Sequence, residues 1–506
     1  MRSPLRRIAP LAALVLLNAA AHFLPPERAS VGPDDYSYLV RFGSAPFADI
    51  ARLFVTERQR PLQLVALALQ ARLVGGGPTG ALLLPFLSST ALLLSAYALF
   101  RALTQKDVAA FLAAAAFTLL PQTGEVYHTA MYFNVNVALS LWLLCATFFL
   151  RFLQGGGALR LAASLVLYAV AVFWYEVGFF VPAVFAVWGF LLHRGRARHA
   201  VWFGPIAVLY FVYGHTTLLG VAPGAYGHAV GWDAKPLLHL LSFAAGPHAL
   251  RGIVYGFYCF SQIAPGWLAV IAAVDAALAY ALWRWLRTVD LVFDRRAVTL
   301  AGLLALGFLL PFAAQAKGGI AGRHLIVPSV AFVLVVVAWV ARVRAGRSVI
   351  AVALGLGLIV AQGNAWAHVV ACRINGAVYE ALRSRGPALR AASDVVIDVH
   401  SLTERIPFTW VPAEFDQLNG YYGAQALEEW GLIMMARLAS GDANKWVRLA
   451  VGPLESDGAS WRFVQGQHTG SRAFTKEIVT VPKAGTVVIG FAQIFGREFR
   501  DGRGAF

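Results

Sequence analysis

Long apolar runs separated by short basic linkers dominate the first 370 residues of the chain. A helix that crosses a bilayer needs about 20 mostly apolar residues, and by that measure eleven segments are predicted to span. They lie near residues 8–24, 79–101, 107–121, 134–153, 159–175, 177–192, 200–219, 264–286, 297–315, 325–341 and 348–368. The pattern therefore predicts a polytopic α-helical membrane protein.

The basic linkers predict the orientation of this helix bundle. Arginine, lysine or histidine occurs in every linker that lies on the cytoplasmic side when the N-terminus is cytoplasmic, as the positive-inside rule requires. These linkers are 101–106, 151–160, 193–199, 284–296 and 342–347. Residues 1–24 also fit a cleaved signal peptide, but we favour an uncleaved first span because the later spans need that orientation. We expect a multi-pass protein of the bacterial inner (cytoplasmic) membrane with a periplasmic C-terminal part.

Two long segments are predicted to lie on the outer side. The apolar run 61–74 has about fourteen residues, too few to span, so we predict that 46–74 forms helices in or near the outer face. They belong to an outer loop, 25–78, and outer loops of this length are usually functional. The segment 220–263 mixes aromatic residues, glycine and histidine, which predicts an interfacial lid.

The composition changes after residue 370. Runs rich in β-branched residues at 394–399 and 486–491 predict strands, whereas 380–390 and 423–439 predict helices. We therefore divide the chain into a transmembrane module, 1–370, and a small mixed α/β periplasmic domain, 371–506.

Composition and charge exclude several functional classes. The chain is 59% hydrophobic and 13% charged, whereas soluble domains carry about 25% charged residues. The net charge of +16 does not predict nucleic-acid binding, because the basic residues are spread over the linkers. The three cysteines match no disulfide framework or metal motif, and no phosphate-binding loop or dinucleotide fingerprint is present. The lipid bilayer is the partner that the composition predicts.

Paired carboxylates, Asp34 and Asp35, follow the first predicted span directly. A carboxylate in a membrane cavity can accept a proton from a hydroxyl group, and burial can raise its pKa toward the working range. The alternative is helix capping, for which an aspartate after Gly-Pro is well suited. Tyr36 and Tyr38 come next and are candidates for substrate binding.

Cationic side chains form a second set of candidates. Arg58 and Arg60 precede the short apolar helix, and Lys317, Arg323 and His324 lie in a predicted outer loop. Arginine can hold a phosphate through two parallel hydrogen bonds. Anchoring at lipid headgroups is the alternative for the first pair.

Other polar residues near the outer side complete the candidate set. Glu125 and His128 lie in the linker after the third predicted span, and Tyr175 and Glu176 end the fifth. We consider these four residues candidates for substrate binding, with an aromatic belt as the alternative for Tyr175 and Glu176. Asp275 falls deep in the eighth span, and there we expect a pairing role rather than a reactive one.

The acidic pair with its tyrosines, the Arg60-Pro61 step and the Arg323-His324 element before Pro328 resemble motifs of the GT-C superfamily of membrane glycosyltransferases, such as aminoarabinose transferases and protein O-mannosyltransferases. The resemblance covers residues 1–370 and implies an inverting transfer of a sugar from a polyprenyl-phosphate donor to an extracytoplasmic glycan, glycolipid or protein. It implies that Asp34, or else Asp35, is the general base and that the cations bind the donor phosphate.

One departure from the superfamily bears on cofactors. Relatives often carry a second acid where this chain has Asn134. The resemblance therefore favours the branch that needs no divalent metal, and we expect no cofactor. Two other functions fit a chain of this kind: a transporter or flippase for lipid-linked glycans, and an enzyme of the O-antigen ligase or polymerase type. Repeated halves would favour the former, and reactive arginine and histidine in a late loop would favour the latter.

Overall fold

A computed structural model describes residues 5–26, 31, 33–57, 60–120, 124–215, 247–288, 291, 293–313, 322–398, 429–469 and 473–490. Most of this part is helical, and a small sheet lies near the C-terminus. The helices are α1 Leu5–His22, α2 Pro33–Phe42, α3 Phe47–Thr56, α4 Pro61–Leu73, α5 Pro78–Thr104, α6 Asp107–Thr118, α7 Gly124–His128, α8 Phe133–Leu153, α9 Ala158–Trp174, α10 Val181–Leu192, α11 Arg194–Ala197, α12 Phe203–His215, α13 Pro247–Ser261, α14 Pro265–Leu286, α15 Arg295–Ala313, α16 Gly322–Val340, α17 Gly346–Ser384, α18 Gly386–Ala391 and α19 Glu429–Ser440.

Each of the eleven apolar runs coincides with a helix in this structure. Within the described ranges, four helices are long and apolar enough to cross a membrane: Thr79–Thr104, Ala130–Leu153, Pro265–Leu286 and Gly346–Ser384. Seven shorter apolar helices accompany them. Large apolar side chains also face outward, for example Trp339, which is 69% exposed, and such surface is suited to lipid. The chain is a helical membrane protein, and the full number of eleven crossings stays a prediction.

Aromatic side chains fill the centre of the helix bundle. Phe149 stacks on Phe185 with ring centroids 4.5 Å apart, and Phe203 meets both rings edge-on. Trp142 packs against Tyr168 at 5.3 Å. These rings are fully buried, so they hold α8, α9, α10 and α12 together by the large apolar area that each removes from solvent.

The two ends of the bundle differ chemically. Three of the basic linkers, 101–106, 151–160 and 193–199, meet at one end, here called the basic end. There Gln154 donates a hydrogen bond to the Ala102 carbonyl at 2.9 Å, and Arg196 donates one to the Gly156 carbonyl at 2.8 Å. The opposite end is called the site end. There α1 ends at His22, α6 ends at Thr118 and α9 ends at Trp174, and α8 begins at Phe133, next to Asn134.

The loop 25–78 folds into α2, α3 and α4, and the prediction that 46–74 forms helices is confirmed. Helix α4 contacts α8 and α9, whereas α2 contacts both α4 and α19. Tyr36 and Leu39 of α2 share a buried core with Val378, Val395 and Leu432. The helices of the segment 25–78 and the C-terminal part of the chain are therefore packed together on one hydrophobic core.

The C-terminal sheet contains the strands β1 Asp394–Asp398, β2 Val447–Ala450, β3 Glu455–Ser456, β4 Ser460–Thr469, β5 Ala473–Pro482 and β6 Thr486–Gly490. Their order is β3-β4-β2-β1-β6, and β5 also pairs with β4. The central strand β1 is parallel to both of its neighbours, β2 and β6, and its middle residues are buried. The two predicted strands are confirmed as β1 and β6.

One of the two predicted C-terminal helices is wrong in its bounds. The segment 380–390 is not one helix, because α17 continues from the last apolar run to Ser384 and a new helix starts at Gly386. Pro387 at the start of α18 cannot donate the backbone hydrogen bond that continuation of α17 would need. The predicted helix 423–439 is confirmed over its described part, where α19 covers Glu429–Ser440, and residues 423–428 lie outside the described part.

The predicted lid at 220–263 is described only from residue 247. Its described part forms α13, which packs closely on α17: a Cβ atom added to Gly363 would stand 1.9 Å from the Gly256 carbonyl oxygen. The two backbones therefore touch, as they do where small residues face each other between membrane helices. This portion belongs to the bundle and does not lie apart from it.

Candidate functional site

The acidic pair lies in the first turn of α2, which begins at Pro33. Both carboxylates follow the first helical residue, so neither one is the N-cap that the sequence also allowed. Acids in this turn interact favourably with the helix dipole. Asp35 is only 2% exposed, whereas the side chain of Asp34 lies outside the described residues. Tyr36 is buried 5.4 Å from the ring of Tyr379, so its ring serves packing in this structure.

An ion pair between Arg60 and Glu176 joins two distant parts of the chain at the site end. Arg60 Nε donates to Glu176 Oε2 at 2.9 Å, and Nη2 donates to Oε1 at 2.5 Å. The guanidinium also lies 4.3 Å from the centre of the Tyr175 ring, and the Tyr210 hydroxyl donates to Glu176 at 3.5 Å. The two charged side chains are 27% and 25% exposed.

The electrostatics of this cluster keep Arg60 charged. Burial by itself lowers the pKa of Arg60, but the Glu176 carboxylate and the Tyr175 and Tyr210 rings outweigh it, so the pKa is raised overall. Three predicted site residues, Arg60, Tyr175 and Glu176, therefore form one contact cluster. Within this cluster the Glu176 carboxylate already binds the Arg60 guanidinium. A phosphate would therefore have to bind beside Glu176 or displace it.

His128 lies in a buried cluster of three histidines. Its ring centroid is 5.4 Å from that of His22 and 4.3 Å from that of His368. His22 stacks on Tyr127 at 4.0 Å with the two rings nearly parallel, and its Nε2 lies 2.7 Å from the Thr118 carbonyl oxygen. Since a carbonyl oxygen only accepts, this contact places a proton on Nε2 of His22.

An amide pair connects the outer-loop helices to the start of α8. Gln63 donates to Asn134 Oδ1 at 2.9 Å, and Asn134 in turn donates to the Met131 carbonyl. Both functional atoms of the Asn134 amide are thus used by the protein itself. Within the part of the chain that the structure describes, no three His, Cys, Asp or Glu side chains are arranged so that they could hold a metal ion.

Of the remaining predicted site residues, the structure describes the side chain of Tyr38 alone. Arg58 and Lys317 lie outside the described residues. Glu125 lies in α7 and Arg323 and His324 lie in α16, where only the backbone is described. Tyr38 is half-buried and faces Phe42 at 6.5 Å.

An apolar groove of about 1090 Å³ lies between α1, α6, α14 and α17. It begins at the basic end, where Arg101 and Asp107 form an ion pair, and reaches Leu17 and Leu119. Leu119 directly follows Thr118, whose carbonyl oxygen contacts His22. The groove therefore leads from the basic end to the neighbourhood of the histidine cluster.

One acid lines this groove at mid-depth. Asp275 accepts a hydrogen bond from Gln362 at 2.7 Å, and Gln362 also lies 3.4 Å from the Ala20 carbonyl oxygen. The expected pairing of Asp275 with another group of the bundle is thus observed. The contact ties three walls of the groove, α14, α17 and α1, to one another.

Sequence reasoning missed two of the three histidines and their polar neighbours. Asn18 and His22 are four residues apart in α1, and Asn364 and His368 are four apart in α17. That spacing puts each pair on one helix face, and polar pairs inside apolar runs are a signal that could have found them.

Comparison with models of known protein families gives no match, and a search of curated protein sequences gives no significant match. The function proposed below therefore rests on the sequence motifs and on the geometry of the site.

Proposed function

We propose that the protein is a membrane glycosyltransferase that moves a sugar from a polyprenyl-phosphate carrier to an extracytoplasmic acceptor. The supporting observation is the gathering of the acid-bearing helix α2, the Arg60–Glu176 pair and His128 at one end of the bundle, away from the basic linkers. Helix α2 contacts both α4, which starts beside Arg60, and the turn Ala130–Tyr132, which follows His128. The positive-inside rule puts this end on the outer side.

In this proposal Asp34 is the general base. Asp34 accepts the proton of the acceptor hydroxyl as its oxygen attacks the anomeric carbon on the face opposite the phosphate. The bond from that carbon to the phosphate oxygen breaks, the electron pair leaves with the phosphate, and the configuration inverts. We assign the role to Asp34 because Asp35 is almost fully buried and lies too deep to meet an incoming sugar.

The cationic residues would stabilise the charge that develops on the departing phosphate. Groups preorganised around such a charge usually provide the largest electrostatic contribution to catalysis. Arg60 is oriented by Glu176 and Tyr175, and Arg58, Lys317, Arg323 and His324 are the further candidates. Glu176, which is 25% exposed, would hydrogen-bond a sugar hydroxyl near this phosphate, whereas His128 is as deeply buried as Asp35 and would support the site from within the bundle.

The apolar groove fits the carrier lipid. A polyprenyl chain needs an apolar channel within the thickness of the bilayer, and the groove between α1, α6, α14 and α17 provides one that ends near the site. A donor that arrives through the membrane needs no nucleotide-binding loop, and the sequence carries none.

The proposal is tested by transfer assays on the purified protein in liposomes with a polyprenyl-phosphate sugar donor and envelope glycolipid as acceptor. Removing a general base typically costs about 10²–10⁴-fold in rate, and we expect a loss of that size for Asp34→Asn. Asp49→Asn is the control, because Asp49 is an exposed acid in the neighbouring helix α3. Undiminished transfer by an Asp34→Asn, Asp35→Asn double variant would refute the assignment of the acids.

A groove variant tests the lipid part separately. Gly355 lines the groove, and a Cβ atom added there would meet nothing within 4 Å. Gly355→Trp should fill the groove and raise the KM for the lipid donor while a short-chain donor analogue is still used. Equal effects on both donors would place the lipid elsewhere.

A further inference from the structure

A basic pocket lies where α17 gives way to α18. It has a volume of about 530 Å³ and is lined by Arg383, Gly386, Pro387, Arg390, Ala391 and Ala439. Arg385 is exposed at the same junction. Three arginines thus fall within eight residues, next to a concave surface whose other lining residues are uncharged.

The two lining arginines differ in how they are held. Arg390 Nε donates to the Ser440 carbonyl at 2.9 Å, and its Nη1 and Nη2 groups meet no acceptor among the described residues. Gly441 leaves room for this guanidinium: it has φ +69°, and a Cβ atom there would stand 2.9 Å from Arg390 Nη2. Among the residues that the structure describes, Arg383 pairs only with the exposed Glu380 at 2.8 Å. Arg390 is therefore held through its Nε group, and its Nη1 and Nη2 groups can donate hydrogen bonds to a ligand.

Buried charge beneath the pocket adds to its positive potential. Lys445 is buried and donates to the carbonyls of Arg390 and Ala392 at 2.8 Å and 2.9 Å. Two acids, Glu380 and Asp442, accompany the four cations, which leaves an excess of two positive charges. A dianion matches this excess better than a carboxylate does, and a phosphomonoester carries about −1.5 to −2 charges at neutral pH.

The height of the pocket decides between bilayer headgroups and other phosphates. The last predicted span ends at His368, and the helix continues to Ser384. This extension rises about 24 Å at 1.5 Å per residue, and still about 18 Å at a tilt of 40°. The headgroup layer is only about 5–8 Å thick on each side, so phospholipid phosphates do not reach the pocket.

We propose that this pocket binds the phosphate group of a soluble or glycan-borne phosphomonoester above the membrane surface. The site is separate from the proposed donor site and does not depend on the transfer reaction. Arg383 and Arg390 supply paired hydrogen bonds to the phosphate oxygens.

The test uses the full chain in nanodiscs of neutral lipid and measures glucose 6-phosphate binding by calorimetry, with glucose as the uncharged probe. We expect binding of glucose 6-phosphate alone, weakened by salt. Arg383→Gln, which loses only a surface pair, should weaken it about tenfold, a change of about 1.4 kcal/mol, and adding Arg390→Gln should abolish it. Arg462→Gln, an exposed arginine of β4, and Arg60→Gln at the donor site should leave it unchanged.

Four outcomes would overturn the proposal. Absence of binding by the wild-type chain, or undiminished binding by the Arg383→Gln, Arg390→Gln variant, would remove the pocket as a phosphate site. Loss of binding when anionic lipid replaces neutral lipid would show that bilayer headgroups occupy the pocket. Loss of binding in Arg60→Gln alone would place the phosphate at the transfer site.

Discussion

The Arg60–Glu176 pair offers the sharpest test of the geometry at the site end. The two charges are joined by two hydrogen bonds and are about three-quarters buried. Removing one partner of a fully buried pair costs about 3–5 kcal/mol, because the other charge stays buried without compensation. Allowing for the partial exposure, we expect Glu176→Gln and Arg60→Met each to lower the free energy of unfolding by about 2–4 kcal/mol.

A double-mutant cycle separates the pair from its surroundings. Contacting charged residues show coupling energies of about 0.5–3 kcal/mol, so the double variant should lose clearly less than the sum of the single losses. Unfolding in mixed micelles with increasing SDS, followed by circular dichroism, gives the four free energies. The exposed pair Arg52–Asp49, at 78% and 55% exposure, is the control, and breaking it should cost about 0–1 kcal/mol.

If the losses of unfolding free energy at Arg60 and Glu176 were additive, the two side chains would stabilise the protein independently. That result would contradict the hydrogen bonds between them. A loss no larger than that of the control pair would likewise show that this cluster does not hold the outer-loop helices on α9.

Other predictions concern helix packing, the histidine cluster and metals. Gly363→Ala should lower the free energy of unfolding by about 1–3 kcal/mol through overpacking, because its Cβ would overlap the Gly256 carbonyl. Gly355→Ala in the same helix is the control and should be nearly neutral. Equal melting temperatures of the two variants would contradict this contact. His22→Phe keeps the ring stack but leaves the buried Thr118 carbonyl without the His22 donor. We therefore expect the free energy of unfolding in micelles to fall by about 1–3 kcal/mol. An unchanged free energy would mean that the hydrogen bond is not made. Transfer activity should survive EDTA, and an EDTA-sensitive activity restored by one divalent metal would show that the reaction needs that metal.

The positions of the apolar helices followed directly from the sequence, because hydropathy is a local property. Each predicted span coincides with a helix, and the short run 61–74 forms α4 as expected. The end of α17 was missed for a related reason. The change of composition after residue 370 suggested a new domain, but charged residues such as Arg373, Glu380 and Arg383 favour helix as well as their apolar neighbours do, so α17 continues to Ser384.

The arrangement of the site could not be derived in the same way. Arg60 and Glu176 were each chosen as candidates, but 116 residues separate them, and nothing in a single sequence shows that they are paired. The histidine cluster depends on three helices meeting at the site end. Strands β4 and β5 went unpredicted because they form an edge hairpin in which polar residues such as Gln465 and Lys476 interrupt the apolar pattern.

Mass spectrometry of envelope glycolipids tests the central claim most directly. Cells with the gene, cells without it and cells carrying the Asp34→Asn, Asp35→Asn variant are compared at equal protein levels. The proposed transfer predicts that one hexose, pentose or amino sugar is missing from the same species in the second and third strains. Identical glycolipids in all three strains, or full restoration by the variant, would contradict the assignment of the acid pair to glycosyl transfer.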